Sequence, residues 1–224
     1  MPKLQVVKVF VGEDGAGGNP LGVFMDGAAV PGEARQSVAT RLGFSETVFV
    51  DDASRGELRI FTPAAELPFA GHPLVGTAWL LLREGHEVPV LRPPAGEAAV
   101  RVEGGSIFVT GRPEWSPPFE ILELPSPGDV DALEGSQDGR DVGAWAWEDE
   151  AEGKVRVRVF PSELGIAEDE ATGSFAVLLC AALGRSISIR QGRGSRIHAR
   201  PLDDGAVEFG GRVEPVEERE EQSS

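Results

Sequence analysis

Cysteine and histidine, the side chains that build disulfides and most protein zinc sites, are scarce in this chain of 224 residues. The one cysteine, Cys180, excludes an internal disulfide framework and any zinc site with several cysteine ligands, and it favours a reducing compartment. The three histidines are His72, His86 and His198, and no two of them have the spacing of metal ligands. We therefore expect no metal centre.

Basic residues and long apolar runs are scarce as well. Lys and Arg number 21 against 37 Asp and Glu, which gives a formal net charge of −16. Nucleic acids and anionic membranes repel such a charge, and the only basic-rich stretch, 190–196, is short. No apolar run reaches the roughly 18 residues of a membrane-spanning helix, and the N-terminus has no signal-peptide pattern. We expect a soluble cytoplasmic protein without nucleic-acid or membrane partners.

Glycine and proline, by contrast, are abundant at 29 and 17 residues, and hydrophobic residues make up 41% of the chain. They divide the sequence into short segments, which is typical of a strand-rich fold with few helices. Runs rich in β-branched and apolar residues predict the strands. These are 4–11, 21–25, 47–50, 58–61, 98–102 and 106–110, with a tight turn at 103–105 between the last two.

Three segments have helical patterns. In Pro31–Leu42, Ala34, Val38 and Leu42 lie four residues apart and predict an amphipathic surface helix. Segments 73–82 and 175–183 are apolar on all sides but too short to cross a bilayer. We expect protein to enclose both of these helices.

The two apolar helices belong to an internal repeat of about a hundred residues. In each copy an Arg-x-Phe strand, at 59–61 or 158–160, is followed by a loop and then by a glycine and a polar residue. An apolar helix comes next, and a glycine ends it. The repeat predicts two half-domains, 1–112 and 113–224, with a linker region at about 113–153 in which 117–118, 125–128 and 135–139 are predicted as loop. We expect an α+β fold in which each half curls a mostly antiparallel sheet or barrel around its central apolar helix, with the site in the crevice between the halves.

Gly71-His72 and Gly173-Ser174 stand at the starts of the two apolar helices. Free backbone N–H groups and the positive end of the helix dipole favour an anion there, so two such termini facing one crevice would bind a carboxylate. The alternative is that Thr172 and Ser174 only cap their helix.

Glu46 is the candidate general acid and base. If 43–50 is extended, Glu46 shares a face with Val48 and Val50, and partial desolvation would raise its pKa toward the range useful for proton transfer. The alternative is an exposed glutamate at a strand end. His72 is either a structural histidine or a group that holds substrate or relays protons. Asp169, taken alone, is an ordinary acidic loop residue.

The glycine-rich stretch 12–18 matches neither a phosphate-binding loop nor a dinucleotide fingerprint. We therefore expect no cofactor.

Several motifs occur in the order found in the PhzF-like phenazine-biosynthesis isomerase family, which this chain resembles over nearly its whole length outside the middle. The motifs are Gly17-Gly18-Asn19-Pro20-Leu21-Gly22-Val23, Phe44-Ser45-Glu46-Thr47-Val48-Phe49-Val50, Arg59-Ile60-Phe61-Thr62-Pro63 with Pro68-Phe69-Ala70-Gly71-His72-Pro73, and Glu168-Asp169-Glu170-Ala171-Thr172-Gly173-Ser174. The later stretches Ile189-Arg190-Gln191-Gly192 and Gly210-Gly211-Arg212-Val213 are also similar.

The resemblance implies a diaminopimelate-epimerase-like fold and a cofactor-free isomerase, commonly a homodimer, whose named member isomerises trans-2,3-dihydro-3-hydroxyanthranilate in phenazine biosynthesis. It also implies that Glu46 moves the proton and that His72 and Asp169 complete the catalytic set. The residues expected to bind the small carboxylate substrate are Asn19, Ser45, Gly71, Gly173 and Ser174.

The chain departs from that family in two ways. It is shorter, through trimming between Pro113 and Val155 and in the loop 193–195, and Glu170 stands where the family usually has proline. One alternative is therefore a ligand-binding protein on the same scaffold that has lost catalysis. A two-thiol racemase or epimerase is less favoured, because Cys180 lies inside an apolar helix.

Overall fold

The structure, a computed structural model, describes residues 2–136 and 139–221. The chain divides into two compact units, each built from several segments. Unit 1 comprises Met1–Val9, Pro20–Val109 and Arg212–Ser224, and unit 2 comprises Phe10–Asn19 and Thr110–Gly211. The single division at 112/113 that the sequence suggests stays a prediction.

In chain order the described residues form fourteen strands and four α-helices. The strands are β1 (Lys3–Val11), β2 (Gly17–Phe24), β3 (Thr47–Asp52), β4 (Glu57–Phe61), β5 (Glu66–Leu67), β6 (Val90–Leu91), β7 (Ala98–Glu103), β8 (Ser106–Gly111), β9 (Glu120–Glu123), β10 (Asp141–Asp149), β11 (Lys154–Pro161), β12 (Ile187–Gln191), β13 (Ser195–Pro201) and β14 (Val207–Glu220). The helices are α1 (Gly32–Leu42), α2 (Gly71–Arg83), α3 (Pro127–Asp131) and α4 (Gly173–Leu183). All six predicted strands and all three predicted helices are present within a few residues of their predicted bounds.

Unit 1 contains an open sheet in the order β5-β4-β3-β2-β1-β14-β8-β7-β6. Strands β2 and β3 pair in parallel, while β3–β4, β4–β5, β6–β7 and β7–β8 are antiparallel. An isolated bridge between Glu57 and Arg92 links β4 to the residue after β6, but the path of paired strands does not close. The predicted α+β class with a mostly antiparallel sheet is confirmed, and the sheet is open rather than a closed barrel.

The two faces of this sheet are covered by different helices. Leu4 and Val6 of β1 belong to a core cluster with Val38 of α1. On the α2 side, a Cβ added to Gly76 would lie 2.6 Å from Leu21 and 2.8 Å from Val9, so only glycine allows this close approach of helix and strands. Because successive side chains of a strand point to opposite faces, β1 carries apolar residues on both faces, and they make up six of its nine residues.

Unit 2 repeats the order of elements. Its strands follow the path β14-β13-β12-β11-β10-β9, and β9–α3–β10 is a parallel pair joined through a helix, as is β2–α1–β3 in unit 1. Helix α4 contacts β13 and is buried over most of its length. Its last turn differs from the prediction of complete enclosure, because Ala181 and Ala182 are exposed.

Of the three stretches in 113–153 that are predicted as loop, 117–118 has no regular secondary structure, as predicted, whereas 127 and 128 form the start of α3. The interpretation of Pro125–Gly128 as loop overlooked that Ser126 caps α3 by accepting a hydrogen bond from the Asp129 amide. Strand β10 follows and is buried from Asp141 to Ala146. Part of the predicted loop at 135–139 lies outside the described residues. In the described part of the chain, no helix has the length and apolarity needed to cross a membrane.

Candidate active site

Glu46 lies in the short connection between α1 and β3. Gly43 ends α1 in the left-handed conformation, with φ of 70°, and β3 begins at Thr47, one residue after Glu46. The predicted extended run at 43–50 therefore starts later than expected. Thr47 to Val50 are all buried, so both faces of β3 are covered there. Glu46 directly precedes this buried part of the strand.

The Glu46 carboxyl is largely removed from water, with 13% of its side chain exposed. Burial raises its pKa to about 7, and a hydrogen bond from Ser45 acts in the opposite direction. Its Oε2 atom lies 3.5 Å from Nε2 of His72. A carboxyl that titrates near neutrality can both accept and return a proton at physiological pH.

His72 is the second residue of α2, after Gly71, and its side chain is 2% exposed. The N-cap residue Ala70 makes no side-chain hydrogen bond to the helix. Pro73 in the first turn has no amide hydrogen to satisfy. The helix dipole thus directs partial positive charge toward the start of α2, where His72 lies.

Of the predicted residues of unit 2, Asn19 contacts Asp169 directly. Asn19 donates from Nδ2 to Asp169 Oδ1 at 2.7 Å and to the Ala171 carbonyl at 3.0 Å. Thr172 Oγ1 donates to Asp169 Oδ2 at 2.6 Å. Asn19, Asp169 and Thr172 are all buried, and so Asp169 is the centre of a hydrogen-bonded cluster, not an exposed loop residue.

Gly173 and Ser174 are the first two residues of α4. Thr172 occupies the N-cap position but makes no cap hydrogen bond, because its hydroxyl is engaged with Asp169. The capping alternative considered for Thr172 is therefore wrong. The α4 terminus, like that of α2, receives no hydrogen bond from the side chain of its N-cap residue.

Gln191, at the end of β12, is a site residue that sequence reasoning missed. Its Oε1 accepts from the Thr172 amide at 3.1 Å, while its Nε2 donates to the Asp169 carbonyl and to Thr172 Oγ1, both at 2.9 Å. The side chain is 1% exposed. The only sequence signal for it is its place in the stretch 189–192, which is part of the family resemblance but carries no assigned role.

The structure thus brings Ser45, Glu46 and His72 together in unit 1, and Asn19 and Asp169 together in unit 2. That both groups serve one crevice stays a prediction, as do the individual roles of these residues. Within residues 2–136 and 139–221, no group of three His, Cys, Asp or Glu side chains is placed to hold a metal ion. Burial raises the pKa of the Cys180 thiol to about 12, so the thiol stays protonated at neutral pH and does not supply the thiolate that a two-thiol racemase needs.

Comparison with known proteins gives a family match and several relatives. The family model described as "Phenazine biosynthesis-like protein" (PhzC-PhzF) matches residues 7–141. A trans-2,3-dihydro-3-hydroxyanthranilate isomerase of Pseudomonas aeruginosa is 43% identical over 81 residues, which are 35% of this chain and 29% of that protein. An uncharacterised isomerase of Mesorhizobium japonicum is 35% identical over 125 residues, which are 51% of this chain and 39% of that protein. The chain therefore matches less than half the length of either curated relative.

A solved structure is similar over the whole fold. The PhzC/PhzF phenazine biosynthesis protein of Clostridium difficile (strain 630) superposes with a TM-score of 0.79 at 22% identity, covering 99% of this chain and 100% of that chain. The strand-rich α+β architecture described above is thus the fold of this group of proteins.

Proposed function

Because this chain belongs to the phenazine biosynthesis-like (PhzC-PhzF) protein family, we propose that it is an isomerase that moves a proton on a small carboxylate substrate. The observation that carries the proposal is the buried Glu46 carboxyl, with a pKa of about 7 and with His72 3.5 Å away. A trans-2,3-dihydro-3-hydroxyanthranilate-like acid is the proposed substrate class, on the strength of the similar Pseudomonas aeruginosa isomerase.

In the proposed reaction Glu46, as a carboxylate, removes a proton from a carbon that is α or vinylogous to the substrate carboxylate. The electron pair of the broken C–H bond delocalises toward that carboxylate. Glu46, now protonated, returns the proton to a different carbon, which restores both the enzyme and the charge of the substrate. No oxidant or reductant is needed, because the substrate undergoes no net oxidation or reduction.

The remaining residues bind and orient the substrate in this proposal. The amides at the starts of α2 and α4, at Gly71 and Gly173, stabilise the negative charge as it develops. His72 and Asp169 orient the amino or hydroxyl group, with Asn19, Ser45 and Ser174 lining the substrate. Support comes from the helix termini, which lack a side-chain cap hydrogen bond, and from the two buried clusters.

The test is proton exchange followed by ¹H NMR in D₂O with trans-2,3-dihydro-3-hydroxyanthranilate. The wild type is expected to form product and to incorporate deuterium. Glu46→Gln should lower the rate by about 10² to 10⁴, since it removes a general acid and base while retaining the shape of the side chain. Glu87→Gln, at an exposed position, is the matched control and should not change the rate.

Other results would change the assignment. Retained turnover in Glu46→Gln would remove Glu46 from the mechanism. Binding of the acid without any exchange in the wild type would favour the alternative of a ligand-binding protein. We also propose, from family resemblance, a homodimer that works in the cytoplasm in a phenazine-type biosynthetic step; light scattering on the purified protein tests the oligomeric state.

A further inference from the structure

Glu170, next to the proposed catalytic Asp169, occupies the position at which the resembling family has proline. Its side chain is 16% exposed and faces the turn that joins β12 to β13. Oε1 accepts from the Arg193 amide at 2.8 Å and from Ser195 Oγ at 2.9 Å. The Arg193 guanidinium adds a longer contact of 3.4 Å from Nε, but that side chain is 91% exposed.

Ser195 also forms a hydrogen bond with β2, the strand that carries Asn19. Its side chain is fully buried, and while Oγ donates to Glu170 it also accepts from the Gly18 amide at 2.8 Å. The next residue, Asn19, donates to Asp169 at 2.7 Å. Since 18–19 and 169–170 are both neighbours in the chain, the hydrogen bonds close a ring through Asp169, Asn19, Gly18, Ser195 and Glu170.

Two glycines show how closely this ring, which we call the Glu170 ring, is packed. A Cβ added to Gly192 would lie 2.4 to 2.5 Å from the carboxyl atoms of Glu170, and the φ of Gly192 is +53°. A Cβ added to Gly17 would lie 2.4 Å from the Ser195 amide nitrogen, and its φ is +68°. Both positions therefore require glycine for conformation and for space, so the backbone is fitted around the Glu170 carboxyl and the Ser195 hydroxyl.

We propose that Glu170 is a positioning residue that fixes the geometry of Asn19 and Asp169 by bonding to the 192–195 turn, which Ser195 in turn connects to the start of β2. Proline at this position would fix its own φ and remove one amide donor. Glutamate restrains the same segment by hydrogen bonding, because it connects the residue after Asp169 to the 192–195 turn and, through Ser195, to the start of β2. The catalytic consequence rests on the proposed function, whereas the structural consequence does not.

The variants separate the parts of the Glu170 ring. Glu170→Ala removes both acceptors, whereas Glu170→Gln keeps an oxygen that can accept from the Arg193 amide and from Ser195. Arg193→Ala is the matched control, since it removes the exposed guanidinium but leaves the backbone amide that bonds to Glu170. Ser195→Ala breaks the ring at its other side and provides a second route if Glu170→Ala fails to fold.

Two measurements on the full chain test the proposal. The first is NMR hydrogen exchange of the Asn19 side-chain amide, which we expect to be faster in Glu170→Ala and Ser195→Ala and unchanged in Glu170→Gln and Arg193→Ala. The second is isomerisation of trans-2,3-dihydro-3-hydroxyanthranilate, for which a misplacement of Asn19 and Asp169 should lower kcat/KM by about 10- to 100-fold in the first pair only.

The outcomes distinguish this proposal from the proposed function. If the wild type is inactive on this acid but the exchange pattern holds, the proposed function fails and the positioning role stands. If Glu170→Ala and Ser195→Ala leave Asn19 exchange and kcat/KM at wild-type values, the positioning role is overturned. A loss in Glu170→Ala that Glu170→Gln does not restore would also overturn it, because the hydrogen-bonding role requires only the oxygen.

Discussion

At the scale of single residues, the burial of Glu46 should make the free energy of unfolding depend on pH. Its pKa is about 7 in the folded protein against 4.5 for a free glutamate, and burial is the main cause. Between these values the folded state holds a proton that the unfolded state releases, so the free energy of unfolding falls as pH rises through this window. His72, the titratable side chain 3.5 Å away, faces the same carboxyl.

Glu46→Gln should therefore stabilise the protein at high pH. The amide cannot ionise, so the variant avoids the cost of a buried carboxylate, and its gain over the wild type should grow by about 3 kcal/mol between about pH 4.5 and pH 8. Urea unfolding of both proteins at several pH values measures the gain, with Glu87→Gln as control. A gain that does not vary with pH would show that folding does not raise the Glu46 pKa.

The residues of the candidate site differ in how far the sequence could predict them. Glu46 could be singled out because its neighbours from Thr47 to Val50 predict a strand and hence desolvation. Asp169 could not, since the partner that buries it, Asn19, is 150 positions away in the chain. The same holds for Glu170 and its contact with Ser195, because hydrogen bonds across such distances leave no periodic pattern in the sequence.

At the scale of secondary-structure elements, composition predicted the two apolar helices and missed β10. Helices α2 and α4 are apolar in every direction because protein surrounds most of each helix, and that property is readable in a short window. Strand β10 is also buried, but its run of Asp, Val, Gly, Ala and Trp stands between an acidic Gly-rich stretch and a turn. Its burial depends on the neighbours β9 and β11, which no local pattern identifies.

The contact between β10 and α4 gives a prediction at this scale. A Cβ added to Gly143 of β10 would lie 1.9 Å from the Phe175 ring, which is fully buried in α4. Gly143→Ala should lower the free energy of unfolding by about 2 to 3 kcal/mol, because neither the strand nor the ring can move without disturbing the core. Urea unfolding measures the effect.

Gly128→Ala is the matched control in the same unit. Its added Cβ meets only Ser126 Oγ, at 3.6 Å, and alanine favours the helix α3 in which it lies. It should be neutral or stabilising by up to about 1 kcal/mol. Phe175→Leu should restore part of the stability lost in Gly143→Ala. If Gly143→Ala were as stable as the control, the close packing of β10 on α4 would be wrong.

At the scale of the whole molecule, the charge of −16 determines solubility more than it determines the site. Many acidic side chains form ion pairs within their own unit, such as Arg59 with Glu66 and Arg158 with Glu168. Because the chain has 37 acidic but only 21 basic residues, negative charge remains in excess, and the acidic side chains repel one another in the folded state. At the candidate site, by contrast, the contacts are local: Ser45 and His72 meet the Glu46 carboxyl, and Asn19 and Thr172 donate to Asp169.

Salt should therefore stabilise the protein as a whole. Between about 0.01 M and 0.15 M NaCl the screening length falls from about 30 Å to about 8 Å, which weakens repulsion among distant carboxylates more than contact ion pairs. We expect Tm at pH 7 to rise by about 2 to 4 °C, the equivalent of about 1 kcal/mol for a chain of this size. The rise should shrink near pH 5, close to the sequence pI of about 4.6, where the net charge is small. An equal rise at both pH values would point to a general salt effect on the hydrophobic core, and a fall in Tm would mean that the ion pairs outweigh the repulsion.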